Sequence, residues 1–67
     1  MPNTMNALQF LKKSRQALHL TQRDLAEKTG YSHYQIVEFE RGRARVPGDL
    51  VLRIQKILVG ELKSNKQ

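Results

Sequence analysis

His33, Tyr34, Val37, Glu38 and Arg41 recur at i, i+1, i+4, i+5 and i+8, the spacing that gathers side chains on one face of an α-helix. Together they offer hydrogen-bond donors, a carboxylate acceptor and an apolar contact. A DNA major groove displays the complementary set: acceptors on guanine and adenine, the amino donor of cytosine and the methyl of thymine. Arg43 and Arg45 follow at once, and cations in that place suit a phosphate backbone. The plainer alternative for each of these residues is solvated surface. Glu38 is open in a second way, since it could accept from cytosine or exclude unwanted sequences by repulsion.

Other chemistries find less support in the chain. Hydroxyl side chains occur without a positioned base, no glycine-rich phosphate loop is present, and His19 and His33 fall on different elements without a triad-like companion. The absence of cysteine removes disulfides, a thiol nucleophile and every cysteine-based metal site. His33 has no partner His, Cys or paired carboxylate at ligand spacing. No enzyme activity, metal or other cofactor is therefore expected.

Charge supports a polyanionic partner. Twelve Lys and Arg against six Asp and Glu give a formal net charge of +6 in 67 residues, and the chain has a pI of about 10.2. Residues 21–42 hold three bases and four acids, whereas the basic excess lies in residues 1–20 and 43–67. Positive flanks around a nearly neutral centre differ from a generic polybasic segment. No apolar run approaches the roughly 18 residues of a membrane span, and the N-terminus lacks the pattern of a signal peptide, so a cytoplasmic location without a membrane partner is expected.

The elements that must position the face follow from periodicity and end signals. Met5, Leu8, Leu11 and Leu18 predict a first helix over about 5–18. Thr21 with Asp24 starts a second helix, about 22–29, closed by Gly30. Ser32 with Gln35 forms a capping box for a third, about 33–41, closed by Gly42. Leu50, Val51, Ile54, Ile57 and Leu58, introduced by Pro47 and Gly48, predict a fourth ending near Gly60, with 61–67 a polar tail. The expected architecture is all-α: one domain over 1–67, a bundle of four short helices with a fifth left open. Its expected core is Leu8, Leu11, Leu18, Leu25, Ala26, Ile36, Phe39, Leu50, Ile54 and Leu58. Short helices joined by a tight turn, with Ile36, Phe39 and Glu40 inward, predict a helix-turn-helix over 21–42.

Thr21, Gln22, Leu25, Ala26, Gly30, Ser32, Ile36, Glu40 and Gly42 fit the pattern T-Q-x-x-L-A, G, S-x-x-x-I, E-x-G. The segment therefore resembles the helix-turn-helix of the phage repressor and Cro family, also called the XRE family, and the likeness spans roughly residues 8–59. The resemblance implies a lambda-repressor-like fold and a sequence-specific regulator of transcription, usually a repressor, bound to a pseudo-palindromic double-stranded DNA operator. It implies base reading by Ser32, His33, Tyr34, Val37 and Glu38, and phosphate binding by Gln22, Arg15, Arg41, Arg43 and Arg45. It also pairs Arg15 with Glu40, which keeps an acid near DNA neutralised.

The chain departs from the family pattern at Ser14, where a core leucine is usual and Phe10 or Leu18 would fill the space. It departs again at His19, where glycine is common and a left-handed turn must be tolerated. The short tail leaves oligomerisation least defined, although a homodimer on DNA is expected, with apolar residues of the fourth helix and tail as its interface. Origin in a bacterium, phage or plasmid, with association to the nucleoid, is also implied. An antitoxin-type protein-interaction module that autoregulates its operon is the alternative, with an unidentified protein partner. An RNA-binding module is disfavoured, because an A-form major groove is too narrow for a helix.

Overall fold

The computed structural model describes residues 6–64, which form four helices: α1 Ala7–Ala17, α2 Gln22–Thr29, α3 His33–Glu40 and α4 Gly48–Ser64. No strand occurs among the described residues, so the all-α class stands. No helix among them is long and apolar enough to cross a membrane. Residues 65–67 of the expected tail, and Met5 at the expected start of α1, lie outside the described residues.

Local chemistry sets most helix ends. The Asn6 side chain accepts a 2.9 Å hydrogen bond from the Gln9 amide and takes the N-cap, so α1 starts at Ala7. At its other end the His19 amide donates to Gln16 and the Leu20 amide to Arg15, both at 3.0 Å. These two bonds close a Schellman turn around His19, whose φ is 59°. The left-handed residue is thus the histidine itself. An identical arrangement ends α3, where Gly42, with φ 79°, donates to Phe39 and the Arg43 amide donates to Glu38. Arg41 is the C-cap there, outside the helix proper.

Helix α4 corrects the expected stop at Gly60, because it runs through Ser64 and takes residues 61–64 from the tail. Glycine ends a helix when it turns left-handed, but Gly60 does not have a positive φ. Inside a helix its effect is a loss of about 1 kcal/mol of propensity, too little to stop one already packed on the core.

Leu11, Leu25, Ala26, Ile36, Phe39, Leu50 and Ile54 form the buried core, with Phe10, Leu20, Tyr31, Val46 and Leu58 packed against it. All four helices contribute, which holds α2 and α3, each too short to persist alone. Leu8 and Leu18 are half-buried and stand outside this cluster, contrary to the expectation that both lie in the core. Ser14 is itself buried, and Phe10 packs beside the core. Thr29, also buried, satisfies its hydroxyl by donating to the Leu25 carbonyl at 2.8 Å. No buried side-chain polar atom among the described residues lacks a partner.

Candidate nucleic-acid interface

Two capping boxes frame the turn between α2 and α3. Thr21 Oγ1 accepts from the Asp24 amide at 3.0 Å while Asp24 Oδ2 accepts from the Thr21 amide at 3.1 Å. Those bonds, the Thr21 backbone amide foremost, lower the Asp24 pKa from its ordinary value of 3.8. Ser32 Oγ accepts from the Gln35 amide and Gln35 Oε1 from the Ser32 amide, both at 3.0 Å. Between the boxes Gly30, with φ 81°, supplies the left-handed residue at the end of α2. Each helix of the pair therefore starts and stops through bonds made within a few residues.

The orientation of α3 is set by what lies beneath it. Ile36, Phe39 and Glu40 are buried, and at about 100° per residue the opposite direction runs through Tyr34, Glu38 and Arg41. Tyr34 is 71% exposed, the highest value among the exposed large hydrophobic residues. Arg41 is exposed too, as is Ser32 at the N-cap. His33 and Val37 are half-buried and lie one turn apart along the same margin of the face. Gln35, which sequence reasoning used only as a capping residue, is exposed and keeps its side-chain amide available beside Tyr34. Its place on the outer face could have been read from the same periodicity once Ile36 and Phe39 were set inward.

Glu38 departs most from a free reading group. Its side chain is only 15% exposed, and the nearest cation is Arg43 Nη1 at 3.9 Å, too far for a hydrogen bond. Arg43 is 63% exposed at its side chain, so this pair is well solvated on one side and adds little stability. Arg43 stands just beyond the C-terminal end of α3. Arg45 is exposed further along the same loop.

Arg15 and Glu40 stand in a network that joins α1, α2 and α3. Arg15 Nε and Nη2 donate to the two Glu40 oxygens at 2.7 and 3.0 Å, a two-point pairing suited to a planar guanidinium. Arg15 Nη1 donates to the Leu20 carbonyl at 3.0 Å. Gln22 Nε2 donates to Glu40 Oε1, also at 3.0 Å, and so is oriented by the same carboxylate. Glu40 is 5% exposed at its side chain and Arg15 17%, so the network lies mostly beneath the surface. The link from Gln22 to Glu40 has no signature in sequence, because those residues are 18 positions apart on different helices.

Two short capped helices, a tight turn and a largely polar outer face define a helix-turn-helix domain. The chain matches the family described as Helix-turn-helix over residues 11–58, which takes in most of α1 and all of α2 and α3. It belongs to that family, the XRE type of DNA-binding regulator. No curated protein and no solved structure matches the chain.

Proposed function

We propose that the chain is a repressor that binds a pseudo-palindromic operator as a pair of copies, with α3 of each in the major groove. The observation that carries this reading is the outer face of α3, where Tyr34 projects from a helix fixed on its other side by Ile36, Phe39 and Glu40. Ser32, His33, Tyr34, Val37 and Glu38 are assigned to base edges, with Tyr34 central and Glu38 acting by exclusion from its recessed position. Gln22, Arg15, Arg41, Arg43 and Arg45 are assigned to the backbone, Gln22 through its backbone amide at the first position of α2 and Arg15 through the part of its guanidinium that Glu40 and the Leu20 carbonyl leave uncovered.

One such domain meets few base edges, and useful specificity over competing DNA calls for two. Helix α4 supplies the surface assigned to that pairing. Leu52 and Val59 are 59% and 49% exposed, and with Gln55 and Lys56 they line a shallow depression of about 360 Å³. Selection of bound duplexes from a random pool, then footprinting and sedimentation of the saturated complex, tests the proposal. The expected result is an inverted repeat with centres about 10 bp apart and two chains bound. One chain per site, or no enriched sequence, would overturn it.

A further inference from the structure

Helix α3 packs on α1 and α2, and α4 packs on the same two helices, so the angle between the reading helix and α4 is set largely through intermediaries. Residues 41–45 of the connecting loop are all exposed, and Val46 packs against the core. Leu50 and Ile54 join the core through apolar contact, which is not directional.

Two directional ties do cross to α4. Arg53 Nη1 donates to the Thr29 carbonyl at the end of α2 at 2.8 Å. The Tyr31 hydroxyl, from the turn itself, lies 2.9 and 3.0 Å from the two oxygens of Asp49 in the first turn of α4. Arg53 also approaches Asp49 at 3.4 Å, in a pair more than half exposed on both sides. The Tyr31 ring meets Phe39 of α3 edge to face, with centroids 5.7 Å apart and planes at 72°. One side chain thus touches the reading helix with its ring and α4 with its hydroxyl. Burial first, then the hydrogen bond to Asp49, hold its pKa above the ordinary 10.0, so it remains a donor at neutral pH.

We propose that Tyr31, clamped between Phe39 and Asp49, is a positioning residue that sets how far apart two half-sites must lie. The inference rests on the reading that two copies pair through α4. With half-site centres about 34 Å apart, each reading helix lies about 17 Å from the axis of the pair. At that distance a tilt of about 10° moves the helix by about 3 Å, close to the roughly 3.4 Å rise of one base pair. Discriminating a single base pair of spacing therefore demands an angle held to a few degrees, which a tie of fixed direction supplies.

Tyr31→Phe keeps the ring against Phe39 and removes only the hydroxyl. The probes are duplexes carrying the half-site returned by selection from a random pool, placed once, or twice at the best spacing and at one base pair less and more. The parent should lose about tenfold in affinity at either wrong spacing, and Tyr31→Phe about threefold or less. Both should bind the single half-site within about twofold of each other. An unchanged spacing profile in Tyr31→Phe, or an equal loss on every probe, would overturn the assignment. A parent indifferent to spacing would instead overturn the pairing through α4, and this inference with it.

Discussion

Replacing Arg15 or Glu40 alone should cost more stability, in sum, than replacing both. Arg15→Ala leaves the Glu40 carboxylate, 5% exposed, with one remaining donor, Gln22. Stranding a charge so deeply costs about 3–5 kcal/mol. Glu40→Ala strands an arginine that is 17% exposed and keeps its bond to the Leu20 carbonyl, so about 2–3 kcal/mol is expected. In the double variant neither charge is stranded, and a loss of about 3–4 kcal/mol leaves a coupling energy of about 2–4 kcal/mol. A chain of this size has a total stability of about 3–10 kcal/mol, so Arg15→Ala could consume most of it. Urea unfolding of the four proteins at one pH measures the cycle, with a constant slope against urea as the check on two-state behaviour. Should the parent be too weak for Arg15→Ala to be read, Glu40→Gln with Gln22→Ala gives a milder cycle through the same carboxylate, with a coupling of about 1 kcal/mol. Single losses that add within about 0.5 kcal/mol would refute the claim that this network fixes α3 on α1 and α2.

Arg43→Ala and Arg45→Ala should weaken binding to selected and random duplexes alike, lowering the magnitude of the salt slope by about one unit per contact in each chain. A changed base preference with an unchanged slope would instead place either arginine among the reading residues. His19→Gly should stabilise the fold by about 1 kcal/mol, raising Tm by about 4–8 °C, because a left-handed residue then carries no Cβ. Gly42→Ala should do the opposite, since it combines φ of 79° with a Cβ only 3.4 Å from Leu8; thermal melts decide both. Asp24 is held ionised in the fold below its ordinary pKa of 3.8, so its stabilising effect is present above that pH and is lost as pH falls through the folded value. Asp24→Asn should therefore melt lower than the parent near neutrality and lose less Tm on acidification below about pH 4.

Much of the framework was legible because helix ends are local chemistry. Thr21 with Asp24 and Ser32 with Gln35 each state a capping box within four residues, and Gly30 and Gly42 stand where left-handed stops are needed. Gly60 shows the limit of such reading. A glycine marks a stop only if the chain turns left-handed there, and Gly60 has no positive φ and stays within α4. Contacts between distant residues left no trace: Tyr31 and Asp49 are 18 positions apart, Thr29 and Arg53 are 24, and neither pair has a spacing that announces it. On α3 the inward set was correctly read, yet His33, Val37 and Glu38 are more covered than periodicity implied. A short helix seated on two others is shielded at its margins, which accounts for His33 and Val37, whereas Glu38 lies in the outward direction and has Arg43 of the following loop 3.9 Å away; a helical wheel carries no information about either neighbour.

Parallel selections from one random duplex pool by the parent and by Tyr34→Ala test most directly whether the outer face of α3 reads bases. Tyr34 is 71% exposed, so its loss should leave stability within about 0.5 kcal/mol. The account predicts that preference relaxes by about 1–3 kcal/mol at one or two positions in each half-site while the remaining positions keep their bases. Identical selected sequences from both proteins, at equal affinity, would contradict it.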